Sequence, residues 1–368
     1  MAYIRKLPSG KWQAEVRGPD GRKHTFSDKL KSVAKAWAAE EEGRFASGDR
    51  RDPRAGEIRV GTWYARYAAA SGVQAITATK NRSLWTVHCE PKWARWRMSA
   101  ITRMEAQGWV GELRQTRLAR YRGRDVQDGD DAPVLSAATI ADVVHIMSAL
   151  FRAAVKEQPP LVLANPFADL ALPVIEPRPV EFYERDEAAA LYEAAAEWRT
   201  LIELGMDVGL RPGELYGLHG HRVDWLRGQL AVVDVMTRQG LRQWPKSKRS
   251  HRVVPVPPAT LEAMSALMAG RPRDSLVFTA PEGGPVTDGH FRNRIWYPAI
   301  AEAGVRRWPP RIMRHTAASW LVQDGVPLYD VQALLGHEDY ATTQRYAHLA
   351  PNAHNKVIES WTRRAATS

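Results

Sequence analysis

Between Asn165 and Glu187 the chain reads NPFADLALPVIEPRPVEFYERDE, with Pro166, Pro173, Pro177 and Pro179 in close succession. Proline fixes its own φ, lacks an N–H, and pushes the preceding residue out of the helical region. No continuous helix passes through such a stretch, which reads as an extended connector. It divides 368 residues, a length that suits two or three domains better than one core. The boundary is placed at Ile175 to Pro179.

Before the connector, two patterns follow one another. IRKLPSGKWQAEVRGPDGRKHTFSD reads as three short strands broken at the turn sequences PSG and GPDG. KLKSVAKAWAAEEEGRFA then reads as a helix with Val33, Trp37 and Ala38 on one face. This module is too small to bury much by itself. Its Arg5, Lys6, Lys11, Arg17, Arg22 and Lys23 suit a polyanionic surface such as DNA. GDRRDPRAG, Gly48 to Gly56, reads as a linker. From about 57 to 177 the chain is expected to be mostly helical, including RLARYRGRD. SAATIADVVHIMSALFRAAVKE has the clearest apolar stripe (Ile140, Val143, Val144, Met147, Leu150, Phe151), with Ser136 as its N-cap. Trp63, Trp85, Trp93, Trp96 and Trp109 are expected to be packing anchors.

After the connector, ERDEAAALYEAAAE reads as a helix, LAVVDVM and RVVPV as strands with a basic turn between them, and the rest from Pro258 as helices. The whole is mainly α with small β elements. The formal net charge of +11 points to a polyanionic partner, most often nucleic acid. The single cysteine, Cys89, forms no internal disulfide and fits a reducing cytosol. There is no export leader, no apolar run near the roughly 18 residues of a membrane span, and no metal or nucleotide motif. A cytoplasmic protein without cofactor or metal is expected.

Several groups in the second half suit one chemical task, breaking a phosphodiester without metal. The transition state gains charge on the non-bridging oxygens, which guanidinium forks stabilise. A nucleophile attacks phosphorus, and an acid protonates the leaving oxygen. Arg211 lies in GLRPGEL, where Gly209 ends one helix, Pro212 opens the next, and Glu214 lies one turn on. Lys246, or Lys248 beside it, lies in the basic turn PKSKRSHRVVPVP. RIMRHTAASWLVQDG opens a helix with Arg311 and Arg314 on one face and Ala317, Ala318, Leu321 and Val322 on the buried side. His315 is expected to point elsewhere. LLGHEDYATTQRYAHL carries His337 and Tyr346, with Tyr346 rather than Tyr340 in the helix.

Together these segments resemble the tyrosine recombinase (phage integrase) family over roughly residues 180 to 363. The earlier half is similar in layout to the phage-type members. The resemblance implies an arm-type DNA-binding domain over 1–55, a helical core-binding domain over 56–177, and a catalytic domain with a C-terminal tail over 178–368. It implies Tyr346 as nucleophile, Arg211 and Arg314 as phosphate clamp, Lys246 as general acid, His337 as phosphate donor and Glu214 as support. The family usually has histidine where this chain has Arg311, and arginine is a poor base. The implied activity is integration or excision of a phage or mobile element, through a 3′-phosphotyrosine and a Holliday junction. Four protomers would act on double-stranded attachment sites, with DNA-bending or directionality proteins as further partners. The tail residues Val357, Ile358 and Trp361 would pack on a neighbouring protomer or on their own domain. Two other readings stand beside this one: a type IB topoisomerase-like relaxase, and a DNA-binding or bridging protein that has lost catalysis.

Overall fold

The structure, a computed structural model, describes residues 2–18, 21, 23–46, 55–118, 133–176, 179–242, 251–351, 358 and 361–365. Arg22, Lys246, Lys248, Val357 and most of RLARYRGRD lie outside them. The chain divides into two compact units, Met1–Pro177 and Arg178–Ser368, and the division falls in the proline-rich connector.

The first unit begins with an antiparallel sheet of β1 (Tyr3–Lys6), β2 (Trp12–Arg17) and β3 (Lys23–Asp28), in that order. Ile4 pairs with Ala14, and Ala14 with Phe26, so these residues share one face. Helix α1 (Lys31–Ala46) covers that face, with Ala34 and Ala38 buried against Ala14 and Val16. Small side chains on both sides let helix and sheet approach closely. Val33, expected on this face, is exposed. The inward stripe runs through Ala34, Ala38 and Glu41, at helical steps of four and three, and Val33 lies about 100° away from it. Arg5, Arg17 and Lys23 are exposed on the opposite face, and Lys6 and Lys11 are exposed around the first turn.

Residues 47–54 lie outside the described set, but Gly56 is buried and belongs to the body that follows. Helix α2 (Val60–Ala70) precedes α3 (Ala75–Leu84), which runs through a π-helical turn, Trp85–Cys89, into α4 (Glu90–Trp93). Helix α5 (Arg103–Arg114) opens on a Thr102–Glu105 capping box. Its buried stripe of Ala106, Trp109, Val110 and Leu113 is diluted by Gly108 and Gly111, which weakens the helical signal in the sequence. Helix α6 (Ala137–Lys156) starts where the Ser136 hydroxyl accepts from the Thr139 N–H, and its expected stripe is buried. It is long and apolar enough to span a membrane, contrary to the sequence expectation. That apolarity serves the core: Trp63, Trp85, Trp93 and Trp109 are buried with it, and Trp93 meets Trp109 and Phe167 edge to face. Trp96 is half-buried. Arg117, the first residue of RLARYRGRD, forms a β-bridge with Val134, and the helix expected there falls on residues outside the described set.

The second unit opens with α7 (Arg185–Ala194), α8 (Arg199–Asp207) and α9 (Pro212–Tyr216). A sheet of β4 (Val223–Asp224), β5 (Gln229–Val232) and β8 (Arg252–Pro255) follows, with a separate hairpin of β6 (Val235–Thr237) and β7 (Gly240–Arg242). LAVVDVM is therefore two strands rather than one. It breaks at Asp234, whose buried carboxylate accepts from Arg222 Nε at 2.9 Å. Then come α10 (Pro258–Met268), α11 (Asp288–His290), α12 (Tyr297–Ala303), α13 (Ile312–Gln323), α14 (Leu328–Leu335) and α15 (Tyr340–Gln344). Helix α13 is buried on more than the one expected side: Met313, Arg314, Thr316 and Ser319 are enclosed along with Ala317, Ala318 and Val322, while Leu321 is half-buried. In the C-terminal tail Ile358 and Trp361 are exposed. The fold is mainly α with small antiparallel sheets.

Candidate active site

The last carbonyls of a helix have no partner within it and carry the negative end of its dipole. At the C-terminus of α14, three consecutive carbonyls are each taken by a different arginine. Leu334 O accepts from Arg252 Nε at 2.6 Å, Leu335 O from Arg314 Nη2 at 2.6 Å, and Gly336 O from Arg211 Nη2 at 3.3 Å. Gly336 ends the helix in the left-handed region at φ 67°, where a side chain is strained. The His337 N–H turns back to Gln332 O at 3.2 Å. The turn thus presents His337 beside the three guanidinium groups.

Arg211 is the N-cap of α9, and Pro212 occupies the first turn. Its N–H donates to Glu214 Oε2 at 3.0 Å and its Nη1 to Oε1 at 2.8 Å, the support expected from the spacing. Glu214 is only 3% exposed. Burial opposes its ionisation, but Arg252 and then Arg211 outweigh it and hold the carboxyl below its ordinary value. Arg252 donates from Nη2 to Glu214 Oε2 at 3.0 Å, and its side chain is 6% exposed. The sequence reading missed Arg252. It stands in β8 within RVVPV, where it reads as one more basic residue of a strand.

Arg314 is buried, with Nη1 donating to Gly209 O at 2.8 Å in addition to the Leu335 carbonyl. Burial, then Arg211 and Arg252 nearby, lower its ionisation to about 9, and it stays charged at neutral pH. Two bonded N–H groups leave three of the five free for a phosphate. Arg311, by contrast, is exposed at the start of α13, and its side chain carries no hydrogen bond or ion pair among the described residues. It is not brought into the bonded cluster.

Tyr346 lies one residue past the end cap of α15, at the start of a 3-10 turn, and Tyr340 is the residue that begins the helix. The expectation that Tyr346 sits within that helix is corrected: Asp339 caps the segment through the Ala341 N–H, which fixes the start of a helix too short to reach 346. Tyr346 is 3% exposed, packed among Ala318, Val322, Val331 and Leu335. Its Oη lies 2.6 Å from His315 Nδ1. His315, expected to point elsewhere, thus points at the tyrosine, because one residue beyond Arg314 turns it about 100° toward the side of α13 where Tyr346 packs. Burial pushes the Tyr346 phenol above its ordinary value.

His337 Nδ1 lies 2.8 Å from Thr343 Oγ1, a fully buried hydroxyl. Burial, then Arg314 and Arg211, lower His337 to about 3. Burial, then Arg311, Arg345 and Arg314, lower His315 to about 4. Both rings protonate near pH 6.5 in the unfolded chain. Between that pH and about 4 the unfolded chain binds more protons, so stability falls as pH falls through this window. Thermal midpoints should drop between about pH 7.5 and 5, and His337→Asn should shrink the drop. An identical drop in that variant would remove His337 from the effect.

The sequence profile of the phage integrase family matches residues 181–353. Tyrosine recombinase XerC of Xylella fastidiosa (strain 9a5c) is 31% identical over 207 residues, covering 54% of this chain and 66% of that protein. The integrase of Salmonella phage P22 is 28% identical over 252 residues, 64% of this chain and 62% of that one. The match thus spans just under two thirds of each relative. A Tn1549 transposon integrase in complex with a circular intermediate DNA has a TM-score of 0.66 at 17% identity, over 84% of this chain and 99% of its own. A lambda integrase tetramer bound to a Holliday junction has a TM-score of 0.57 at 18% identity, over 94% of both chains. These two likenesses are of fold. Residues 181–353 of the chain thus belong to the tyrosine recombinase (phage integrase) family.

Proposed function

We propose that this protein is a site-specific DNA recombinase that cuts and rejoins DNA through a 3′-phosphotyrosine at Tyr346. The observation that carries this reading is the convergence of Arg211, Arg314 and His337 on the end of α14. Arg211 and Arg314 bind the non-bridging oxygens of the scissile phosphate, and Glu214 holds Arg211 at the right angle. Neutral His337, with the Thr343 hydroxyl donating to Nδ1, presents its Nε2–H to the phosphate. Lys246, or Lys248, protonates the leaving 5′ oxygen. Arg311 adds positive charge at the site's edge.

Domain roles follow the same reading: an arm domain over 1–55, a core-binding domain over 56–177, and the catalytic domain over 178–368. The exposed sheet face with Arg5, Arg17 and Lys23, together with Lys6 and Lys11, suits outlying DNA sites. Four protomers act on two duplexes through a Holliday junction, as the lambda integrase tetramer is bound to one. The exposed Ile358 and Trp361 suit packing on a neighbouring protomer. Integration or excision of a mobile element, in the cytoplasm and with helper proteins, is the role proposed.

The test starts from DNA junctions sequenced in cells expressing the protein, which give the core site. A nicked duplex carrying that site traps cleavage, since the cut fragment diffuses away. The expected result is a covalent protein–DNA adduct that maps by mass spectrometry to the peptide containing Tyr346. Tight binding without adduct would favour a DNA-bridging protein instead.

A further inference from the structure

Attack by a tyrosine requires that its proton go somewhere. Among the described residues, the hydrogen-bond partner of Tyr346 Oη is His315 Nδ1, at 2.6 Å. Arg311 is exposed, its side chain has no hydrogen bond or ion pair among the described residues, and arginine is a poor base. His337 has its Nδ1 engaged by Thr343. We propose that His315 is a catalytic residue, the general base that accepts the phenol proton of Tyr346 as it attacks the DNA phosphorus. The proposal rests on the reading of Tyr346 as nucleophile.

The step balances as follows. The Tyr346 oxygen bonds to phosphorus while its proton passes to His315 Nδ1. The bond from phosphorus to the 5′ oxygen breaks, and that oxygen takes a proton from the ammonium of the general acid, Lys246 or Lys248. On rejoining, the 5′ hydroxyl attacks phosphorus and returns its proton to that lysine. The tyrosine oxygen departs and recovers its proton from the His315 imidazolium.

The surroundings support this assignment. The ring is neutral at pH 7, held down to about 4 by burial and by Arg311, Arg345 and Arg314, so with its proton on Nε2 the Nδ1 lone pair is available. A phosphodiester bound by Arg314 offsets that arginine's charge and makes His315 more basic. The base therefore strengthens when DNA is in place. Burial disfavours the free Tyr346 phenolate, so attack depends on an acceptor in contact.

The experiment uses the full chain and a nicked duplex bearing the core site, with sulfur replacing the 5′ bridging oxygen of the scissile phosphate. A thiolate leaves without a proton, so the rate of adduct formation reports deprotonation of Tyr346 without the acid. Wild type, His315→Ala, His315→Asn and Tyr346→Phe are compared between about pH 6 and 9. The two His315 variants are expected to bind the duplex as wild type does but to form adduct about 10²–10⁴-fold more slowly at pH 7. Their rates should climb with pH where wild type levels off. Asparagine keeps a hydrogen-bonding group but takes no proton near neutrality, so it also serves if the alanine variant folds poorly. His315→Asn at a rate near wild type, with an unchanged pH profile, would make His315 a positioning residue and overturn the proposal. Absence of adduct in wild type bound to this substrate would sink the nucleophile reading and the proposal with it.

Discussion

Glu214→Ala should lower the unfolding free energy by about 3–5 kcal/mol, because it leaves a buried guanidinium without its counter-charge. Arg252 is 6% exposed and meets Glu214 at 3.0 Å. The carboxylate also holds Arg211 through two hydrogen bonds, so cleavage should be lost along with stability. Glu214→Gln, which keeps the shape and one acceptor, should cost less. The pH dependence gives an independent check. The Glu214 carboxyl is held below its ordinary value in the folded chain, with burial opposing and Arg252 and Arg211 prevailing. Its stabilisation is complete above the unfolded carboxylate value of about 4.3 and is lost as pH falls through the lower folded one. Denaturant titrations at neutral and acid pH should show the Glu214→Gln variant missing that part of the acid limb. A cost under about 1 kcal/mol for Glu214→Ala would mean that the pair is solvated.

Gly209→Ala should cost about 2–4 kcal/mol and slow adduct formation by about 100-fold. Gly209 adopts φ 71°, which a side chain rarely accepts, and a Cβ there would lie 2.3 Å from Leu335 Cδ2 and 3.1 Å from Ala317 Cβ. Both are core residues, so relief requires moving α14 or α13 away. The consequence reaches the site directly. Gly209 O and Leu335 O are the two carbonyls that hold Arg314. Separating them releases its guanidinium from the geometry that the proposed phosphate contact requires. Thermal melts and single-turnover cleavage together check this. A variant that melts lower yet cleaves at the wild-type rate would show that Arg314 is not fixed by this pair.

The comparison between sequence and structure turns on the range of each signal. The sheet module was legible because turns at PSG and GPDG and period-two strands are local. The α6 stripe was legible because its apolar residues recur at helical steps. Helix α5 falls in the stretch expected to be helical, but two glycines dilute its stripe, and LAVVDVM concealed a break that depends on Arg222 reaching Asp234 from ten or more residues away. Val33 was placed inward because a stripe read from periodicity alone carries an error of one helical step.

For the site, the sequence determined the chemistry on offer. Arg211 with Glu214, and the run from Arg314 through His337 to Tyr346, follow from motif and spacing. Local helix geometry then fixes the contact between Arg211 and Glu214. Tertiary structure alone decided the rest. It set Arg252 beneath Glu214, turned His315 onto Tyr346 across 31 residues, and left Arg311 at the edge. The reason is physical: these contacts join elements brought together by core packing, and the three carbonyls at the end of α14 can select their arginines only once that helix is docked.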